Sequence, residues 1–171
     1  MNKYTNQLLT QKGFSLIEVM VAMVIFSIGL LGLAGLQSLG LSTNQTAYLR
    51  TTAMQQAYNM ADRIRENPAG VESNSYDTLT STTPSSEKNC IKESCNPGQQ
   101  AAFDYFEWFT SNAELLPNGR GTVTGTGNQL LICVMWNELN LTGNPGTPDC
   151  SGEDDYDPTT QLKFYTLLID K

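Results

Sequence analysis

Apolar and polar positions divide this chain unevenly. From Phe14 to Leu36 nearly every side chain is apolar, and Glu18 is the one charge in the run. As a helix the run would span about 34 Å, enough for a bilayer core of about 30 Å. Beyond it no helix breaker other than Gly40 occurs before Asn67-Pro68. Ala47, Met54, Ala57, Tyr58, Ala61 and Ile64 recur at spacings of three, four or seven, which predicts an amphipathic continuation of the same helix. Proline disfavours helix at the residue before it, so the stop is predicted at Asn67. One helix from Phe14 to Glu66 would measure about 80 Å.

The pattern then changes. Residues 69–100 are rich in Ser, Thr, Asn and Gly with few large apolar groups, and read as an extended loop region with short turns. Ala102, Phe103, Phe106, Phe109, Ala113 and Leu116 form a second helical stripe, ended by Pro117-Asn118-Gly119. An aromatic stripe of this kind reads as core packing rather than a ligand site. Two strand-like runs, Gly121–Gly125 and Gln129–Trp136, flank Thr126-Gly127-Asn128, a hairpin turn by composition. Leu162–Ile169 alternates as a third, half-buried strand. The order of elements predicts an α+β fold, with a long N-terminal helix packed on a small antiparallel β-sheet.

Charge sharpens the division. Net charge is −7, but Lys3 and Lys12 are the only charged residues before Glu18. Of the 10 Lys and Arg, 8 therefore face all 17 Asp and Glu in the region from residue 14 onward, a balance of −9. So acidic a region repels phosphate backbones, and no nucleic-acid partner is expected. No Lys or Arg follows Lys12 until Arg50, so the positive-inside rule keeps the N-terminus cytoplasmic and exports the C-terminal part. There is no histidine, which excludes His-based triads and His metal ligands. No catalytic residue, metal ligand set or cofactor is assigned.

The four cysteines are Cys90, Cys95, Cys133 and Cys150. Their spacings lack the tight C-x2-C knuckles of zinc sites, and an exported domain favours disulfides. Of the three possible connectivities, sequence proximity favours Cys90–Cys95 with Cys133–Cys150.

Glu18 does not fit an ordinary anchor. A carboxylate in an apolar span costs about 2.5–3.5 kcal/mol on insertion scales and usually has a partner. A cleaved signal peptide has a shorter apolar core of about 7–15 residues ending at a small-residue site. Neither it nor a plain single-span anchor accounts for the acid.

Lys12-Gly13-Phe14-Ser15-Leu16-Ile17-Glu18 resembles the type IV prepilin signature, in which a basic leader ends in Gly, followed by Phe and by Glu at the fifth mature position. The resemblance implies cleavage between Gly13 and Phe14 by the prepilin peptidase on the cytoplasmic face, then N-methylation of Phe14. It implies that Glu18 pairs with the N-terminal amine of Phe14 in a filament, setting the axial register of incoming subunits. The chain would then comprise a leader (1–13), a transmembrane and filament-core helix (14–36), its amphipathic continuation (37–67) and a disulfide-bearing periplasmic domain (68–171). It would sit in the inner membrane as a single-pass protein and move into a surface pilus.

A looser likeness extends further. Ala61-Asp62-Arg63-Ile64-Arg65-x-Asn67, Ala102-x-Asp104-x-x-x-Trp108, Leu115-Leu116-Pro117-x-Gly119-x-Gly121 and Val134-x-Trp136 resemble the PilV-type minor pilins, also called type IV pilus modification proteins. The implied function is a minor pilin that helps initiate or modify pilus assembly, with other minor and major pilins and the assembly machinery as partners. A minor pseudopilin of a type II secretion system is the alternative. A membrane-anchored exported enzyme is the reading from a different class, and no motif marks one. Asp149, Glu153, Asp154, Asp155 and Asp157 cluster near Cys150 without EF-hand spacing, and read as a solvated acidic loop rather than a calcium site.

Overall fold

A computed structural model describes residues 13–80, 83–86, 88–137, 150 and 162–171, and the backbone of 156–157. Helix α1 runs Leu16–Glu66 and stops at Asn67, where the Asn-Pro pair predicts the break. Asn67 is also the N-cap of the short helix α2, Pro68–Glu72, its side chain accepting from the Gly70 N–H at 3.1 Å. The chain forms two compact units, residues 1–44 and 45–171.

In the first unit an 18-residue window of α1 has a mean hydropathy of 2.5 and none of it is buried. Two of its hydroxyls are turned back onto the helix: Ser27 donates to the Met23 carbonyl at 2.7 Å and Thr43 to that of Leu39 at 3.0 Å. Such back-bonding is what an apolar surrounding requires of a polar side chain.

In the second unit a five-stranded sheet is built from β1 (Thr78–Leu79), β2 (Arg120–Thr126), β3 (Gln129–Trp136), β4 (Tyr156–Asp157) and β5 (Leu162–Asp170), in the order β1-β2-β3-β5-β4. Every pairing is antiparallel. The β2–β3 hairpin closes Thr126 on Gln129 across Gly127-Asn128, and Gly127 takes φ +61°, which its lack of a Cβ makes easy. Helix α3, Pro97–Leu115, opens on a capping box in which the Asn96 side chain accepts from the Gln99 N–H and the Gln99 side chain from the Asn96 N–H.

The main core joins α1 (Leu49, Ala53, Ala57, Met60, Ala61, Ile64), α3 (Ala101, Tyr105, Trp108) and one face of β3 (Leu130, Ile132, Val134, Trp136). Period-two alternation sends Cys133 and Met135 to the other face, where they meet Leu162 and Phe164 of β5 and Cys150.

Several expectations need correction. The buried stripe of α1 is Leu49, Thr52, Ala53, Gln56, Ala57, Met60, Ala61 and Ile64, so Ala57, Ala61 and Ile64 are buried as expected, whereas Ala47, Met54 and Tyr58 are exposed. The spacing of those three traces a neighbouring stripe of the same helix, rotated away from the core. In α3 the buried positions are Ala101, Asp104, Tyr105, Trp108 and Asn112 as well as Phe103, while Phe106 and Phe109 are half-buried and Ala113 exposed. Here Trp108 and Tyr105 set the face because they are the larger groups to bury. Residues 69–100 are not a plain loop: they hold α2, β1, the start of α3 and Tyr76, which is fully buried. Both two-residue edge strands, β1 and β4, are too short to leave a period in the sequence.

Candidate functional site

At the start of α1, Gly13, Phe14 and Ser15 precede the first helical residue, and the Ser15 carbonyl accepts from the N–H groups of Glu18 and Val19. Phe14, Glu18, Ala22 and Phe26 follow one another at four-residue steps and line one shallow apolar concavity with Val19 and Met23. The carboxylate is therefore set within an apolar face, with Phe14 one turn before it.

Magnitudes decide what this arrangement needs. Glu18 lies in the first turn, where the helix dipole favours a carboxylate by about 0.3–1 kcal/mol. That is several-fold less than the cost of about 2.5–3.5 kcal/mol for an acid in a bilayer core. No other charged residue occurs between Gly13 and Arg50 to offset the difference.

Gly13 shows where its own requirement lies. A Cβ at this position would meet nothing within 4 Å. The packing of the chain does not ask for glycine here, so any demand for the smallest residue is external. Gly29, Gly32, Gly35 and Gly40 are equally open.

The second unit holds a polar cluster that sequence reasoning missed. Asp104 on α3 is buried, and accepts from the Tyr76 hydroxyl at 2.7 Å and the Gln100 amide at 2.8 Å. Arg63 near the end of α1 approaches the same carboxylate at 3.6 Å. Asn67 donates to the Tyr76 hydroxyl at 3.0 Å and to the Pro97 carbonyl at 2.9 Å. Burial pushes the Tyr76 phenol well above its usual range, and the hydrogen bond to Asp104 adds to the rise. The arrangement ties α1, the 67–77 segment and α3 together. One signal was available: an Asp between Phe103 and Tyr105 is an acid within an aromatic stripe.

Beside this cluster, Trp108 donates to the Gln56 carbonyl of α1 at 2.8 Å, and a Cβ on Gly121 of β2 would overlap its ring. Tyr105 donates to the Gly121 carbonyl at 3.0 Å, and burial raises its phenol as well. The residues of the looser likeness, Asp104, Trp108, Gly119, Gly121 and Trp136, thus lie at or beside the contacts of α1, α3 and the hairpin. Disulfides join Cys90 to Cys95 and Cys133 to Cys150, the pairing that proximity favours. Of the acidic stretch, Asp149, Glu153, Asp154 and Asp155 lie outside the described residues, as does the Asp157 side chain. Among the described residues no group of three His, Cys, Asp or Glu could hold a metal ion.

Comparison with family models gives two adjoining matches. Residues 8–34 match the prokaryotic N-terminal methylation motif, and residues 35–106 match type IV pilin Tt1218. Curated proteins and solved structures give no match.

Proposed function

Since the chain is a type IV pilin-like protein, we propose that it acts as a minor pilin, a structural subunit that helps initiate or modify assembly of a type IV pilus. The observation that carries this is Glu18: an uncompensated acid on the apolar face of α1, one turn after Phe14 and within the matched methylation motif. Cleavage after Gly13 would create a cationic amine at Phe14. Two opposite charges that are each costly in an apolar medium become tolerable when they meet, and their meeting fixes the register of one subunit against another.

Methylation keeps that amine cationic while adding apolar surface. The leader would stay in the cytoplasm, residues 14–36 would cross the inner membrane, and residues 68–171 would fold in the periplasm before entry into the filament. Other pilins, the prepilin peptidase and the assembly machinery are the partners this requires. The minor-pilin assignment rests on Asp104, Trp108, Pro117, Gly119 and Gly121, which resemble the modification-protein pattern; Asp104, Trp108, Gly119 and Gly121 also sit at close contacts of the second unit.

Mass spectrometry of the protein from producing cells tests the first step. The expected species begins at N-methylated Phe14; an intact Met1, or a cut near residue 35, would sink the proposal. Glu18→Ala tests the second. This variant is expected to insert in the membrane and keep its disulfides while its recovery in sheared filaments falls at least about tenfold, the effect of losing about 1.4 kcal/mol of registration energy. Wild-type recovery would rule out the register role.

A further inference from the structure

The loop after β1 carries a small stapled turn. Cys90 and Cys95 close it with Cα atoms 5.5 Å apart. Inside, the Asn89 side chain accepts from the N–H groups of Ile91 and Lys92, and the Asn89 carbonyl from those of Lys92 and Glu93. Lys88 crosses the mouth of the turn to the Ser94 carbonyl at 2.7 Å. At the tip Ile91 is 79% exposed, with Lys92 beside it. A single exposed aliphatic side chain on a pliable loop is ordinary. Ile91 differs because its turn is held by a covalent bond and five hydrogen bonds, so little conformational freedom remains to be lost on contact.

The same unit has a recess that suits this tip. Ile64, Pro68, Val71 and Ile169 form its apolar lining and Glu72 and Asp170 its acidic rim, around about 300 Å³. That is room for about ten waters at about 30 Å³ each, and ample for a branched aliphatic side chain. The cations on the rim are engaged already, Arg65 with Asp62 and Lys171 with Asp77, each at 2.7 Å. Among the described residues Glu72 and Lys92 have no ion-pair partner.

We infer that the Ile91 turn of one copy docks in the Ile64–Val71–Ile169 recess of a second copy of this chain, with Lys92 against Glu72. Within its own chain the tip does not fill the recess: Ile91 is exposed and is not among the residues that line it. Cys95 shares a polar cavity with Arg63, Glu66 and Asn67, whereas Ile64, Arg65 and Pro68 front the recess. A contact joining two different patches is heterologous, and repetition gives a ring or an open helical array rather than a closed pair. One such tip is a weak contact by itself; subunits held in one membrane or filament would make it effective through high local concentration. The inference adds a specific contact to the pilin reading and rests on it for that concentration.

The test uses the full-length chain in producing cells, with p-benzoylphenylalanine in place of Ile91. Irradiation is expected to give an adduct of two copies, with the cross-link mapped to residues 64–72 or 169–171. Lys92→Glu in the same background is expected to lower the yield about threefold, the scale of one exposed ion pair. Adding Glu72→Lys should restore it. No adduct, an adduct elsewhere or to another protein, or no restoration by the charge swap would each overturn the contact. N-terminal mass spectrometry on the same sample reports separately on the pilin reading: methylated Phe14 without the mapped adduct removes the contact and leaves that reading standing.

Discussion

Helix α1 carries two regimes along one element. Met20 and Met23 in its first part are exposed, whereas Met60 is fully buried; Leu36 is exposed and Leu49 is not. The residue types are alike and their surroundings differ. Residues 16–44 hold apolar side chains with no core of their own, so their stability has to come from a membrane or from other subunits. Residues 45–171 bury the same chemistry within the chain, around Trp108 and β3. The lesson is that substitutions in the second region should be read in unfolding experiments, and substitutions in the first only in assembly.

The sharpest way to break that division is Trp108→Ala. Trp108 is fully buried and donates to α1, so its truncation should cost about 3–5 kcal/mol. The expected result is a large drop in the urea midpoint of the full-length protein in detergent, with membrane insertion retained. A midpoint near wild type would mean that Trp108 does not anchor the core, and the contrast between the regions would fail.

Next come the disulfides. In the chain-entropy account a cross-link is worth more when it closes a longer loop. With sequence separations of 17 and 5, the pairs Cys133–Cys150 and Cys90–Cys95 should contribute about 3 and about 2 kcal/mol. Cys133→Ser with Cys150→Ser should therefore lower the midpoint more than Cys90→Ser with Cys95→Ser. The reverse order would show that the short loop does more than restrict the unfolded chain.

What was legible in the sequence follows the same division. The apolar run, Glu18 and the glycine before Phe14 could be read directly because each is a local pattern along the chain. The strands of the hairpin were equally local, with β-branched residues around a Gly-Asn turn, although Thr126 pairs with Gln129 as part of β2 rather than of the turn. The faces of α1 and α3 were not, because several stripes of each helix carry apolar residues and only the partner elements choose among them. Leu49 and Met60 are buried by β-strands more than fifty residues later, which no window along the chain can register. Tyr76 was missed, and Asp104 entered only through the looser likeness and not as a buried group, for a related reason: a buried acid is legible only with its donors, and those come from positions 63, 76 and 100.

Those two tyrosines of the second region give a smaller, pH-dependent effect. Tyr76 and Tyr105 have folded-state pKa values raised above the ordinary 10.0, chiefly by burial. The unfolded chain then loses these protons first and binds fewer of them, so stability falls as pH rises. It is fully present below about pH 10 and is lost progressively above it, toward the raised folded values. Tyr76→Phe should flatten the fall of the urea midpoint between about pH 9.5 and 11.5, at the cost of its hydrogen bond to Asp104. An unchanged slope would mean that Tyr76 ionises as freely folded as unfolded.

The smallest effect on folding is expected at Gly32, and it tests the comparison from the other side. A Cβ on Gly32 meets nothing within 4 Å, whereas one on Gly121 would overlap Trp108 and press on the Asn112 side chain. Alanine in an exposed helix interior is favoured over glycine by about 0.5–1 kcal/mol, so Gly32→Ala should leave the unfolding midpoint of residues 45–171 unchanged and helix content equal or slightly higher. Gly121→Ala should instead destabilise that region by about 1–3 kcal/mol and lower its midpoint accordingly, because neither the β2 backbone nor a buried indole can give way cheaply. The informative outcome is the assembly assay run on both. If Gly32→Ala folds as wild type yet enters filaments poorly, the missing Cβ is required between chains rather than within one, as close helix–helix approach demands. If it enters filaments normally, the glycines of the first region are tolerated rather than needed, and Glu18 alone carries the specificity of that segment.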